Sequence, residues 1–270
     1  AGEAFFTMDM VAEPYDYNYY RTGIAVGDYP IDHHHFRHPE WKSLPDLEFY
    51  PVPSFNVPVG VMVPEQDDVK NLIVAEKSVS VSNLVNGATR LQPVVMQLGQ
   101  AAGAMAALAQ LREVSVKDVR IRQLQDVLLD SGCYLMPYLD LPKEHRHFKA
   151  LQRIGATGIL HGEGRNVGWE NQTWFRADDP LMAEDIFTDG YCRKPDALKA
   201  GEVTVGLLMD VLRSVGFTVP GNDAEAWWNS LGLDSYDVDR TATRLEAAVV
   251  VDAALNPFGM FDVDYEGNVR

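Results

Sequence analysis

The chain has 270 residues, a formal net charge of −16 and a mean hydropathy of −0.16, with 46% apolar and 23% charged side chains. That balance fits an ordered globular protein with chain enough for one large core or two modest ones, and excludes a largely disordered or membrane-embedded one. Acid excess runs through both parts, 13 acidic against 6 basic residues up to position 110 and 26 against 17 after it. With no compact Lys/Arg patch to offset it, this field repels a phosphate backbone and argues against a nucleic-acid partner.

The first 45 residues are aromatic and rich in turn formers, from "EPYDYNYYRTG" to "VGDYPIDHHHFRHPEW". Pro30, Pro39 and Pro45 interrupt regular structure there, which predicts irregular chain laid over a core or over a ligand. No basic segment followed by a long apolar run opens the sequence, so neither a signal peptide nor a transmembrane segment is expected. In "LEFYPVPSFNVPVGVMVP" the prolines at 51, 53, 58 and 64 limit the β-formers to short or edge strands. After the turn-like "PEQDDVKN", Leu72–Ala75 reads as a strand buried on both faces. Val94, Val95, Leu98, Ala101, Ala102, Met105 and Leu108 recur at three- and four-residue intervals and predict a helix over about 91–111. A second helix is expected over 116–131, ending near Gly132.

The proline-bearing "MPYLDLPKEH" then suggests a linker, dividing the chain into domains 1–135 and 136–270. Helices are expected over 145–156, 180–188, 199–215, 223–231 and 241–255. The predicted fold class is α+β: mixed short strands and a long packing helix, followed by a mainly α-helical domain.

Chemistry concentrates in "NLIVAEKSVSVSNLVNGATRLQPVVMQLGQAAGAMAALA", residues 71–109. A loop entering a helix through "NGATRLQP" exposes unpaired N–H groups that favour an electron-rich ligand atom, with Gly87 allowing close approach and Pro93 suiting an early helical turn. The same small residues also suit plain packing, so the pattern leaves both readings open. Asp32, His33, His34, His35 and His38 fall within seven residues, but neighbouring side chains on extended chain point apart, and no metal site is predicted. Cys133 and Cys192 have no metal or CxxC spacing and read as free thiols, with one disulfide as the alternative. "GEGRN" at 162–166 is too short for a phosphate fingerprint and reads as an exposed turn. His145 and His147 precede a helix and suit capping or packing.

"YPIDHH" at 29–34, "VPVGVMVP" at 57–64, "NLIVAEKSVSVS" at 71–82 and "GATRLQPVVMQLGQAAGAMAALA" at 87–109 together resemble, in order and spacing, the carboxy-terminal flavin-binding segment of FAD-dependent oxidoreductases, especially the bacterial branch labelled xanthan lyase. The resemblance implies that Leu72–Ala75 returns to a dinucleotide domain, with Ala75 and Glu76 beside the cofactor. It implies that Ser82, Gly87 and Arg90 approach the flavin end, and that the backbone of Leu91, Gln92 and Val94 faces the isoalloxazine. It makes His34 a proton carrier in substrate oxidation, oriented by Asp32.

Two departures bear on the cofactor. Glu76 and Lys77 stand where the family commonly has glycine and arginine, and no GxGxxG turn occurs in these residues. FAD is therefore expected for the complete parent protein, its phosphate cradle supplied by an amino-terminal segment or separate chain, and these residues are not expected to hold it tightly alone. The implied substrate is small or carbohydrate-related. The alternative is a noncatalytic carbohydrate-, cell-wall- or protein-binding module derived from a flavoprotein. Lyase chemistry would have to use Tyr15, Tyr17, Tyr19 and Tyr20 with Arg21, which an aromatic packing loop explains better.

In the second half, "HFKALQRIGATGILHGEGRNVGWENQTWFRADDPLMAEDI" resembles an S-layer homology repeat, with a weaker echo from Trp227 to "TATRLEAAVVVDAAL". Ile154, Ile159, Leu160, Phe175 and Leu181 would form its core. Asp178 and Asp179 would cap a helix near Pro180, and Thr241 or Thr243 the last helix. Arg244 and Glu246 are the closest match to the polymer-binding signature, and Trp169, Trp174, Trp227 and Trp228 suit a carbohydrate surface or a packed core. The resemblance implies an exported or cell-envelope protein with an envelope polymer as partner; a cytoplasmic location is the alternative.

Overall fold

The computed structural model describes residues 1–32, 51–167, 170–188, 190, 191, 193–214 and 223–270. A short helix α1, Met8–Ala12, and two 3₁₀ turns, Pro14–Asp16 and Asn18–Thr22, lead into strand β1, Gly23–Gly27. β1 pairs antiparallel with β2, Phe55–Pro58, in the register Val26 opposite Asn56 and Gly27 opposite Phe55. Pro58 cannot extend the ladder, and the chain turns into a fully buried 3₁₀ segment, Val59–Met62. The proline-limited strand reading holds here, whereas β1 lies inside the segment expected to be irregular.

Helix α2 spans Asn83–Thr89 and α3 spans Gln92–Arg112. The predicted three-four pattern is the face that α3 buries, through Val94, Leu98, Ala101, Met105 and Leu108. The expected strand over Leu72–Ala75 is absent. That stretch is extended coil with one backbone bond, Val74 N–H to Met62 O at 2.8 Å, and Leu72 is half exposed. A strand buried on both faces needs ladder partners on both edges, and the described residues supply only this single bond.

The helix expected from 116 is split into a 3₁₀ turn, Val116–Asp118, and α4, Ile121–Asp130. Asp262, from the far end of the chain, fixes the start of α4 by accepting the Arg122 N–H at 3.1 Å. Beyond it α5, Phe148–Thr157, stops at Gly158, whose φ of 78° is the left-handed conformation glycine adopts at little cost.

The second half is less helical than predicted. All of "GEGRN" but Gly162 belongs to β3, Glu163–Val167, which forms a hairpin with β4, Glu170–Trp174. Every residue of β3 is exposed, so no apolar alternation announces it. No helix forms over 180–188; isolated bridges pair Pro180 with Thr243, Met182 with Glu202 and Leu160 with Ile186. Asp178 and Asp179 accordingly cap nothing. Asp140 instead accepts the N–H groups of Phe175 and Ala177, both at 2.8 Å.

Helices α6 (Val205–Ser214), α7 (Ala224–Ser230), α8 (Arg244–Leu255) and α9 (Pro257–Met260) follow. Ile154, Ile159, Leu160, Phe175 and Leu181 are buried as expected, and Trp228 is fully enclosed, so it packs rather than presents a surface. Thr243 caps α8 in a reciprocal box with Glu246.

Arg153 on α5 joins Asp126 of α4 at 2.9 Å and Asp252 of α8 at 3.3 Å. The Asp252 side chain is largely enclosed, with Oδ1 buried and unbonded, and this burial, only partly offset by Arg153, raises its pKa to about 6. The folded carboxyl thus keeps its proton where the unfolded chain has lost it. Its contribution to stability is complete below about pH 4 and lost as pH rises through about 6, a difference of up to about 3 kcal/mol. Asp252→Asn should flatten the pH dependence of unfolding over that interval; a profile parallel to that of the unchanged chain would refute the assignment. Removing the α8 cap with Thr243→Ala should cost about 1 kcal/mol by denaturant unfolding.

Candidate functional site

The break between α2 and α3 has a steric cause. Pro93 stands at the second position of α3, and a helix running through it would drive its ring into the carbonyl of Thr89. Arg90 closes α2 and Leu91 turns extended, with φ −70° and ψ 144°. The two helix starts then differ. Ser82 caps α2 by accepting the Val85 N–H at 3.3 Å, whereas Leu91 has no side-chain acceptor to offer. The amides of Gln92 and Val94 consequently lack an intrahelical acceptor at the positive end of a 21-residue helix.

Several predicted residues gather at this end. Asp32 is buried beneath Gly87, where an added Cβ would lie 2.7 Å from the Asp32 carbonyl oxygen. Arg90 donates from Nη2 to that same oxygen at 3.2 Å. Val94 is buried against Gly27. Asp32, Gly87, Arg90, Leu91, Gln92 and Val94 therefore surround one junction. Ser82 lies at the opposite end of α2, about 10 Å away by helical rise. Ala75 and Glu76 sit at a separate 3₁₀ turn, Glu76–Ser78, that packs along α3. His34 and the rest of the histidine run fall outside the described residues, as do Cys192 and Trp169.

Glu76 is exposed, and its φ of 67° places it in the left-handed region. The residue that departs from the resembled pattern thus occupies a conformation suited to glycine. Gln97 of α3 lies against the free edge of β1. In the structure its amide grips the strand edge, Oε1 accepting Val26 N–H at 2.9 Å and Nε2 donating to Val26 O at 3.0 Å. It completes β1 as a neighbouring strand would, a role that its place in an otherwise apolar face hints at.

The outer face of α3 is also apolar. Met96 and Leu111 are 74% and 77% exposed, and Gly99 and Gly103 have open space where a Cβ would be. By length and composition α3 could cross a membrane, but its inner face packs on β1 and α4 as a core helix does.

In the second half, a cavity of about 630 Å³ is lined by His161, Arg176, Asp179, Glu184, Asp185 and Arg244 among others. Arg244 donates to Phe175 O, His161 O and Asp185, and Arg176 is paired with Glu163. Both cations are engaged internally, and carboxylates outnumber them on the walls, which disfavours an acidic polymer there. Among the described residues no group of three His, Cys, Asp or Glu side chains is placed to hold a metal ion.

Residues 1–128 match the family model described as FAD dependent oxidoreductase. No curated protein and no solved structure matches the chain.

Two substitutions probe the junction. Gly87→Ala should destabilise by about 1–3 kcal/mol, because the new methyl meets backbone rather than a movable side chain. Glu76→Gly should stabilise by about 0.5–1 kcal/mol through relief of the left-handed strain, read as a raised urea midpoint with unchanged slope.

Proposed function

We propose that this chain is the carboxy-terminal, flavin-facing portion of an FAD-dependent oxidoreductase acting on a small or carbohydrate-related substrate. The observation that carries the reading is that the family match covers the residues that build the α2–α3 junction and the apolar outer face of α3. The junction suits the ring end of the cofactor: an uncapped helix start, the Arg90 cation, and a floor brought close by Gly87. The phosphate end has no counterpart here, since the GxGxxG turn is absent and Glu76 presents a carboxylate.

Bound FAD would supply the electron acceptor for substrate oxidation. The backbone of Gln92 and Val94 would stabilise negative charge at the ring edge, and Arg90 would reinforce it. Asp32 would orient His34, and His34 would carry the proton released from substrate. The phosphate cradle would come from a GxGxxG-bearing segment outside these residues, seated on Leu72, Met96, Gly99, Gly103 and Leu111. An apolar face of this kind stays solvated only at a cost, and close-approach glycines suit a sheet or helix laid against it.

The test is to isolate the protein from its source with an antibody to these residues, and to record mass and flavin absorbance together. Flavin is expected in a heavier species or a complex, and not in the purified 270-residue chain. Met96→Glu in the native context should lower flavin occupancy about tenfold while leaving unfolding of the 270-residue chain unchanged. A native species of this length without flavin would overturn the proposal and favour a noncatalytic binding module.

A further inference from the structure

A second cavity, of about 320 Å³, lies between the turns that follow α1, the start of β2 and the β3–β4 hairpin. None of its lining residues belongs to the α2–α3 junction, so its reading is independent of the flavin proposal. Its size is at the lower end for small-molecule sites. One part of the wall is apolar, formed by Tyr20, Phe55, Pro14, Pro53, Pro137 and Met136.

The polar part of the wall is held in fixed orientations. Asn56 is 5% exposed, and its Nδ2 donates to Tyr20 O at 2.7 Å and contacts Met136 Sδ at 3.3 Å. Those partners fix the amide and leave Oδ1 as an acceptor with no donor among the described residues. Asn166 repeats the arrangement: Nδ2 donates to Val52 O and to Asn171 Oδ1, leaving its own Oδ1 unengaged. Ser54 Oγ donates to Asn171 O at 2.9 Å and retains acceptor capacity. Arg165, next to Asn166 on β3, turns to the outer face of the hairpin, where Gln172, through Nε at 3.3 Å, and the Trp174 ring at 5.5 Å hold it, so the cavity side of β3 presents Asn166.

Each class of occupant meets this wall differently. A purely apolar molecule would bury the Asn56 and Asn166 oxygens without donors, at a cost of about 1–3 kcal/mol each. An anionic one meets Glu13 on the lining and, among the described residues, no cation turned toward it. A compact molecule with several hydroxyl donors on one edge and C–H groups on its faces satisfies both parts of the wall. Tyr15 is not a free stacking platform, since its ring already stacks on His161 at 3.9 Å; it is a rigid side wall instead. We infer that this cavity binds a neutral polyhydroxylated ring of monosaccharide size, either a free sugar or the terminal residue of a glycan.

The experiment is calorimetric titration of the 270-residue chain with glucose, galactose, mannose and an uncharged oligosaccharide, using glycerol and glucuronate as controls. At least one neutral sugar should saturate at one site per chain, with glycerol and glucuronate much weaker. Ala12→Trp, at the half-buried end of α1, should fill the space and abolish binding, and Asn166→Ala, which removes one of the acceptors, should weaken it about tenfold. Asn166 is exposed and outside the core, so that variant decides the matter should Ala12→Trp fail to fold. Binding of monosaccharide identifies a free-sugar site; binding of oligosaccharide alone, lost in these variants, identifies a glycan-end site. The inference is overturned if no neutral sugar binds more tightly than about 10 mM, if both variants bind normally, or if glycerol competes as well as the sugars do.

Discussion

A guanidinium with no exposed surface joins the parts of this molecule. Arg122 on α4 donates to Arg21 O at 2.9 Å, Gln125 Oε1 at 2.7 Å and Ala156 O at 3.3 Å, and lies 4.4 Å from the Phe258 ring centre. Among the described residues its side chain pairs with no carboxylate. Its charge is balanced by carbonyl dipoles and ring faces, and burial pulls its pKa down. Gln125 extends the network to Arg21 O and Gly23 O, both at 2.9 Å. The chain entering β1, the end of α5 and the short helix α9 are thus fixed to one side chain of α4. From there the constraint passes along β1 to Val26, and through the Gln97 clamp to the start of α3. The uncapped amides at the α2–α3 junction owe their position to a buried cation on a different helix.

That dependence explains how α3 can carry apolar residues on every side, among a few glutamines, and still have a defined place. A helix of such composition ordinarily lies in an interior. Here the inner face is oriented by Gln97 and by packing on β1 and α4, while Met96, Gly99, Gly103 and Leu111 are left outside. The coil at Leu72–Ala75 has the same half-finished character, apolar in sequence but with one ladder bond. On the proposed reading both belong to one surface completed by a dinucleotide-binding partner. Glu76 connects them, holding a glycine-like backbone conformation between the coil and the turn that packs on α3.

Much of this was legible in the sequence wherever burial imposes a period. The α3 face, Ile154 on the core side of α5, and a threonine cap on the last helix, open between Thr241 and Thr243, follow from spacing and capping chemistry; the Glu246 half of the cap does not. Gly87 was also legible as a close-approach position, although its partner, the Asp32 backbone, is 55 positions away. The failures have physical causes. β3 carries no apolar alternation because all five of its residues face solvent. The 180–188 segment has helical composition but is drawn into bridges with 202 and 243 and crosses a left-handed conformation at Phe187. Leu72–Ala75 reads as a strand because its composition reflects neighbours that sequence pattern alone does not supply. Arg122 and Gln125 carry no sequence signal, since nothing local marks a buried cation whose network reaches partners 34 to 104 positions away.

The hairpin is attached on a different principle from α4. β3 contributes no buried residue, and its link to the first half runs through Ser54, Asn171, Asn166 and Val52, a chain of hydroxyl, amide and carbonyl groups. An apolar seam would tolerate sliding of one surface over the other, because apolar attraction has little direction. A seam of directed bonds fixes one registration, and it also fixes which end of each amide faces away. For Asn56 and Asn166 the nitrogen is drawn into the protein, so the oxygen is the end left over. The acceptor-rich cavity is therefore a by-product of how the hairpin and β2 are held, and its chemistry follows from bonds whose first effect is to position the backbone.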